Sequence, residues 1–249
     1  MLFRAEGIVI RTTDYGESDK IVTLFTRPYG KTSVMARGAK KVKSRHAAAA
    51  QLFTYGEFIY FKSGQMGTLN HGEISHAYRP LREHLQKAAY GAYLLELTDR
   101  MTDDGEPDAG LFDQLKGSLD ALEAGKDMEI VAHIYEMKML ASSGYRPVLD
   151  GCVCCGGAVG DDAALSVSQG GALCARCKNV DPAAIPCSPT VLKLLRLFAQ
   201  IDVRRLGNVD VKPGTKAELK RCLLPFFDAY VDVKWKTRRF IDQMEKYGI

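Results

Sequence analysis

Two pairs of cysteines in the second half of the chain have the spacing of metal ligands. The first pair is Cys152 and Cys155, the second is Cys174 and Cys177, and eighteen residues lie between the pairs. Each C-x-x-C turn presents two thiolates to one point, and two such turns at this separation are typical of a four-cysteine zinc site. Four protein ligands complete a tetrahedron and leave no position for water. The spacing therefore predicts one structural zinc ion per chain rather than a catalytic one.

The other three cysteines do not fit this pattern. Cys154 competes with Cys152 by position, but its spacing to Cys155 is wrong for a metal-binding turn. Cys187 and Cys222 lie outside the motif, and we expect buried thiols on helical elements at both positions. The alternative for the two pairs is that their thiols stay reduced and metal-free, or act as a redox pair.

A basic segment lies near the start of the chain. No acidic residue occurs between Asp19 and Glu57, an interval that contains eight lysines and arginines. The densest part is residues 36–46 (ARGAKKVKSRH), a loop-like stretch between two predicted strands. A long basic loop beside a sheet face can hold phosphates without reading bases. The predicted nucleic-acid contacts are Lys31, Arg37, Lys40, Lys41, Lys43 and Arg45.

Interpretations that give the basic and aromatic residues of this segment no role in binding remain open. A surface loop of lysines also serves solubility alone, and Phe25 at strand spacing is more typical of a core than of a stacking platform. Tyr15, Tyr29 and Tyr55 are further candidates for stacking on unpaired bases. A second basic stretch, residues 234–239 (KWKTRR), either lines a groove with the first or forms a solvated helix face.

Composition and charge narrow the class of protein. The 249 residues are 46% hydrophobic and 26% charged, which excludes a disordered or collagen-like chain. The formal net charge of +4 hides a segregation into +6 over residues 1–80, −7 over 81–150 and +5 over 151–249. Such segregation favours a polyanionic partner on one surface. No apolar run is long enough to span a bilayer and no secretory signal is recognisable, so we expect a cytoplasmic protein.

The elements that must position these residues change type near residue 80. Before it, five short segments rich in β-branched residues alternate with turn signals, at residues 7–12, 20–27, 31–36, 56–61 and 68–76. They predict a small closed barrel of the OB-fold kind. After it, helical periodicity predicts helices at 81–97, 109–123, 128–143 and 188–201, with Ser188 as N-cap. A last helical region over 215–246 is expected to bend or break at Pro225.

Signals of catalysis are weak. The sequence contains no P-loop, no G-x-S-x-G and no H-E-x-x-H motif. We therefore expect a binding protein rather than an enzyme. A zinc-dependent hydrolase is the rival enzyme, and it would need a three-ligand site with bound water.

Several segments in a fixed order resemble the RecO family of bacterial recombination-mediator proteins. They are residues 7–11 (GIVIR), 14–22 (DYGESDKIV), Phe25, Thr26 and Gly30, 37–41 (RGAKK), 139–147 (MLASSGYRP) and 152–156 (CVCCG). The resemblance covers essentially the whole chain. It implies an α+β protein in which an N-terminal five-stranded OB-fold barrel is followed by an α-helical domain with an inserted four-cysteine zinc-binding module.

The resemblance also implies domain limits and partners. The barrel is expected at 1–80, the helical domain at 81–150 and 181–249, and the zinc insert at 151–180. The family binds single- and double-stranded DNA, anneals complementary strands and, with RecR, helps to load RecA on DNA coated by single-strand-binding protein, whose acidic C-terminal tail it recognises. A nucleoid-associated location follows from that role. The alternative function is a zinc-ribbon RNA-binding or transcription-associated factor.

Overall fold

The computed structural model describes residues 1–230 and 235–248 of the chain. It divides into two compact units: the first contains Met1–Ala124 and Trp235–Ile249, and the second contains Gly125–Lys234. Within the described residues, no helix has the length and apolar character needed to cross a membrane.

The first unit begins with five strands that close into a barrel. The strands are β1 (Leu2–Tyr15), β2 (Asp19–Thr26), β3 (Gly30–Ala36), β4 (Tyr55–Lys62) and β5 (Met66–His76). Their order around the barrel is β1-β2-β3-β5-β4, and β3 and β5 form the only parallel pair among these five. This topology confirms the predicted OB-like barrel.

Buried side chains alternate with exposed ones along the strands, and the buried ones fill the barrel interior. In β3, for example, Val34 and Ala36 are buried while Ser33 and Met35 between and beside them are partly exposed. The same core receives three alanines from the connection between β3 and β4, namely Ala39, Ala49 and Ala50. The loop that carries the basic residues is therefore held by apolar contacts inside the barrel.

The turn between β2 and β3 depends on a glycine. Gly30 has a φ of +63°, and a Cβ built there would lie 2.1 Å from the Glu106 carbonyl oxygen. No side chain fits this close approach, so glycine is required for both conformation and space. The Thr26 hydroxyl closes the turn by donating to the Gly30 carbonyl at 2.9 Å.

Seven helices and one small sheet follow in the described residues. In chain order they are α1 (Arg79–Glu83), α2 (Leu85–Met101), α3 (Ala109–Glu123), α4 (Met128–Ser142), β6 (Ala163–Ser166), β7 (Gly171–Leu173), β8 (Ile185–Cys187), α5 (Pro189–Gln200), α6 (Pro213–Tyr230) and α7 (Lys236–Tyr247). Short 3₁₀ turns lie at Lys178–Val180 and Val203–Arg205.

The helices α1, α2, α3 and α7 belong to the first unit. The single helix predicted over 81–97 is split, because His84 is extended and separates α1 from α2. The helix α7 returns to pack on α2, where the Glu96 carboxylate accepts from the Lys236 and Thr237 amides at 3.3 and 3.0 Å. A carboxylate at this helix start meets amide groups that the helix itself leaves unpaired.

The second unit contains the remaining helices and the small sheet. Ser188 caps α5 as predicted, since its hydroxyl oxygen accepts from the Val191 amide. Of the predicted bend or break at Pro225, the break is not found, because α6 continues through Pro225 to Tyr230. Phe226 and Phe227 are fully buried directly after the proline, and this burial offsets the loss of one helical hydrogen bond.

Candidate metal centre and nucleic-acid interface

The fold brings together the four cysteines of the two C-x-x-C pairs. The sulfur atoms of Cys152, Cys155, Cys174 and Cys177 all lie within 4.8 Å of one another. The Sγ atoms of Cys155 and Cys174, from different pairs, are 3.8 Å apart. A metal bound tetrahedrally with bonds of about 2.3 Å separates its sulfur ligands by about 3.8 Å. The four thiols therefore have the arrangement of a closed metal site, and the cluster can hold a metal ion.

Two tight turns produce this arrangement. In the first, the Gly156 amide donates to the Cys152 carbonyl at 2.8 Å, with Gly156 in the left-handed region at a φ of +69°. In the second, the Cys174 carbonyl accepts from the amides of Cys177 and Lys178, both at 2.9 Å. Each turn brings its two thiols to the same side of the backbone, which is the reason for the three-residue spacing in the sequence.

The environment of the cluster acts differently on its thiols, since hydrogen bonds with Cys155 and Cys174 raise the pKa of Cys177 to about 12 while the thiolate of Cys152 is favoured. Hydrogen bonds from backbone amides, that of Cys174 foremost, lower the pKa of Cys152 to about 6. A thiolate is the form that binds metal. Leu173 lies fully buried beside Cys152 and Cys174, with Val153 and Val159 packed against them. The apolar support lies on the protein side of the cluster, while Cys155 is exposed.

The other cysteines lie outside the four-sulfur cluster. Cys154 is exposed and belongs to no cluster of ligands in the described part of the chain. Cys187 and Cys222 are buried as predicted, but Cys187 ends the strand β8 and only Cys222 lies on a helix. Their thiols lie close to the Glu218 carboxylate, whose two oxygens accept from the amide and hydroxyl of Ser188.

The basic loop, defined here as residues 37–46, is fixed at its start by the β1–β2 hairpin. The Gly38 amide donates to Asp19 Oδ1 at 2.7 Å, and the Lys40 amide donates to the Ser18 carbonyl at 2.9 Å. The hydrogen bond from Gly38 is the main reason why the pKa of Asp19 is lowered, with Ser18, Arg37 and Lys41 adding to it. Gly38 itself has a φ of +67°, which favours glycine at this turn.

Five cations of this loop are exposed, and four of them form no ion pair with a described acidic residue. Lys40 is 3.0 Å from Asp14 and forms an ion pair. Within the described residues, no ion pair involves the remaining four, which are Arg37, Lys41, Lys43 and Arg45. Unpaired cations on one loop present a positive surface that is ready to meet phosphates without first breaking a salt bridge.

Lys31, the sixth predicted contact, has a different environment. Its ammonium donates to the carbonyls of Asp99 and Thr102 at 2.6 and 2.7 Å, and it also lies 3.5 Å from Asp104. Only 12% of the side chain is exposed. Lys31 therefore joins β3 to the end of α2 and is not presented with the basic loop.

The aromatic candidates for base stacking also differ in how exposed they are. Phe25 is fully buried in the first unit. Burial and a hydrogen bond to Glu6 raise the pKa of Tyr55 to about 12, so its hydroxyl stays protonated and serves the structure. Tyr15 and Tyr29 are exposed by 55% and 39%. Of the second basic stretch, Lys234 lies outside the described residues, Trp235 is the N-cap of α7, and residues 236–239 form the start of that helix.

Comparison with known proteins places the chain in a family. Residues 1–78 match the family Recombination protein O N terminal, and residues 82–239 match Recombination protein O C terminal. The chain belongs to the RecO family. A relative from Halalkalibacterium halodurans, named DNA repair protein RecO, is 44% identical over 248 residues, covering 100% of this chain and 97% of that protein.

Two further RecO relatives carry the same name. The protein from Bacillus mycoides is 45% identical over 249 residues and covers both chains completely. The protein from Bacillus pumilus is 46% identical over 245 residues, covering 98% of this chain and 95% of the relative. The resemblance found from sequence segments is thereby confirmed.

In this RecO-family chain, the sequence analysis missed a group of residues beside the basic loop. Leu2 and Phe61 are 62% and 52% exposed, and they line an open pocket together with the loop cations. The signal was present in β4, where Phe58 and Tyr60 point inward and Ile59 and Phe61 have the outward parity. An apolar residue at an outward position of a strand beside a basic loop indicates a surface that meets a ligand.

Proposed function

We propose that this chain is a DNA-binding recombination mediator in DNA repair. Membership in the RecO family supports the repair role, and the names of the relatives agree with it. The observation that carries the binding proposal is the basic loop, where four exposed cations form no ion pair in the described residues. The expected ligands are the phosphates of single- and double-stranded DNA.

Strand annealing follows from such a surface without any chemical step. Two complementary strands repel each other through their phosphates. A basic surface that holds both strands lowers this repulsion and raises their local concentration, while base pairing supplies the selectivity. This mechanism requires no nucleophile and no general acid or base, and we therefore propose a non-enzymatic role.

We further propose that the four-cysteine cluster holds one zinc ion in a structural role. The 3.8 Å separation of the Cys155 and Cys174 sulfurs supports a tetrahedral thiolate site. When bound, the ion supplies a crosslink between the two turns, and four thiolate ligands leave it no position for substrate. Cys152, Cys155, Cys174 and Cys177 are the proposed ligands.

The proposed partners follow from the family. They are RecR, the acidic C-terminal tail of single-strand-binding protein and, indirectly, the RecA filament. We propose that the barrel (1–80) holds DNA, that the helical parts (81–150 and 181–249) meet proteins, and that the insert (151–180) is the zinc module. Annealing of DNA coated with single-strand-binding protein, with and without its tail, tests the partner proposal: the tail is expected to be required.

Charge reversal in the basic loop tests the DNA proposal. The double variant Lys41→Glu/Lys43→Glu is expected to weaken binding of all DNA sequences alike. It should also lower the slope of log affinity against log salt by about 2, because each lysine neutralises about one phosphate. Fluorescence anisotropy over a salt series measures both quantities. The matched control is Lys193→Glu/Lys212→Glu, which makes the same change of charge at two exposed positions of the second unit.

The outcomes separate the proposal from its rival. Equal binding by the loop variant and the parent, in affinity and salt slope, overturns the proposed interface. RNA bound much more tightly than DNA at matched salt favours the zinc-ribbon RNA-binding factor, the alternative that the four-cysteine cluster permits.

A further inference from the structure

A row of side chains crosses the outer face of the barrel next to the basic loop. In the pairing of β1 with β4, Leu2 lies directly opposite Phe61, and in the pairing of β4 with β5, Phe61 lies opposite Thr68. Large apolar side chains at an outward position of a sheet remain in contact with water unless a ligand covers them. Leu2 and Phe61 therefore form an apolar platform that the barrel itself does not use.

An open pocket of about 800 Å³ joins this platform to the cations. The pocket is lined by Arg37, Lys41, Lys43 and Arg45 together with Phe61. Asn70 also lines the pocket and adds an amide that both donates and accepts hydrogen bonds. Among the described lining residues none is acidic. The pocket thus combines an aromatic ring, a polar amide and a positive rim.

A buried histidine fixes one side of this rim. His46 Nε2 accepts from Arg45 Nε at 3.2 Å, so the proton of the neutral ring lies on Nδ1. The Nδ1 atom is buried and has no hydrogen-bond partner in the described structure. The side chain lines the same pocket. His46 therefore holds the Arg45 guanidinium at the pocket while keeping one polar group unsatisfied.

The ligand that matches these groups is a strand with unpaired bases. A nucleotide carries a flat apolar face, hydrogen-bonding edges and a negative phosphate, and the pocket offers a partner for each. In a duplex the base faces are stacked on each other, so only the phosphates can meet this surface. An acidic peptide with an apolar residue has part of this chemistry, whereas a nucleic-acid strand supplies a flat base with every phosphate.

We propose that Phe61, supported by Leu2, stacks on an unpaired base and makes this pocket a specific site for single-stranded nucleic acid. The proposal rests on the proposed function, because the loop cations must first hold the strand. It adds a residue that distinguishes single strands from duplexes, which phosphate contacts alone cannot do.

The variants Phe61→Ala and Phe61→Trp test this proposal in the full chain. Three labelled ligands are compared at matched salt: a single strand, the duplex of the same sequence, and an abasic strand of the same length. Phe61→Ala is expected to weaken single-strand binding by about 5- to 150-fold, the equivalent of one lost stacking contact. Duplex binding, abasic-strand binding and the salt slope should stay the same. Phe61→Trp should retain single-strand affinity.

Controls keep the result interpretable. Tyr247→Ala removes another exposed aromatic ring from the first unit and should change no affinity. Thermal unfolding of each variant reports whether the fold is intact, and the tryptophan variant covers the case in which the alanine variant does not fold.

Three results overturn the base-stacking proposal. They are an unchanged single-strand affinity in Phe61→Ala, an equal loss for strand and duplex, and an equal loss for the strand and the abasic strand. If Lys41→Glu/Lys43→Glu weakens binding while Phe61→Ala does not, the loop binds DNA and only the stacking pocket fails. If the parent protein binds none of the three ligands, the proposed function itself fails.

Discussion

What each lysine already binds decides which of them can meet a ligand. Lys31 and Lys41 are equivalent in the sequence, both within the interval that lacks acidic residues. In the structure the Lys31 ammonium is occupied by carbonyl groups at the end of α2, whereas Lys41 lines an open pocket. A charge count along the chain cannot distinguish the two, because the partners of Lys31 are 68 and 71 residues away.

This difference predicts opposite effects of the same substitution. We expect Lys31→Ala to lower the free energy of unfolding by about 1–3 kcal/mol, since it leaves partly buried acceptors without a donor. Its effect on DNA affinity should be small. Lys41→Ala should weaken DNA binding and leave stability nearly unchanged. Chemical denaturation and anisotropy on the same samples measure both. Equal losses of DNA affinity in the two variants would contradict the assignment.

His46 predicts how stability depends on pH. Burial first, and then the charges of Arg45 and His71, lower the pKa of His46 below its ordinary value of 6.5. The unfolded chain therefore binds a proton at a higher pH than the folded chain, and stability falls as the pH drops through 6.5 toward the folded pKa. Denaturation midpoints at pH 7.5 and 5.5 should show this loss, and His46→Gln should reduce it. The matched substitution His84→Gln, at an exposed position, should not reduce this loss.

At the scale of the elements, short sequence patterns predicted those strands and helix ends that interactions between neighbouring residues determine. Alternation located all five strands, and the Ser188-Pro189 pair located the start of α5. The errors involve longer-range contacts. The extended His84 that splits α1 from α2 depends on packing that no short window contains, as does the absence of a break at Pro225 in α6. The four-cysteine cluster was predictable because each C-x-x-C turn has a fixed spacing that brings its two thiols together.

The cap of α5 carries a prediction at this scale. The Ser188 hydroxyl accepts from the Val191 amide and donates to the Glu218 carboxylate at 2.9 Å, so it joins α5 to α6. Ser188→Ala should lower the free energy of unfolding by about 1–2 kcal/mol, and Ser188→Thr by less. Urea denaturation measures the difference. An alanine variant as stable as the parent would show that the hydrogen bond from the Ser188 backbone amide to Glu218 is sufficient to join α5 to α6.

At the scale of the whole molecule, the proposed DNA surface and the four-cysteine cluster belong to different compact units. The barrel and its basic loop are in Met1–Ala124, and the four cysteines are in Gly125–Lys234. The charge does not follow this division, because residues 1–80 carry +6 while residues 81–150, most of which belong to the same unit, carry −7. Because the two sites lie in different units, binding of nucleic acid and binding of metal should respond separately to mutation.

Removal of the metal tests this separation. Segments shorter than about 40 residues rarely fold without a metal, a disulfide or a partner, and residues 151–187 form such a segment. Zinc bound by thiolates contributes about 10–16 kcal/mol in small zinc modules, as much as the whole stability of a typical domain. The helices α4, α5 and α6 have their own buried residues, among them Tyr135, Phe198 and Phe226. We therefore expect Cys174→Ser to release the ion and to open residues 151–187 while the barrel stays folded.

Limited proteolysis with mass spectrometry locates the opening, and metal analysis reports the ion. Cleavage in Cys174→Ser should concentrate within residues 151–187, and the affinity for single-stranded DNA should stay within about twofold of the parent because the basic loop lies in the other unit. Cys154→Ser is the matched control: it removes an exposed thiol next to the cluster and should retain the metal and the parent's cleavage pattern. If cleavage spreads to the strands of the barrel, or if DNA binding disappears with the metal, the two functions are coupled and the division of roles proposed here is wrong.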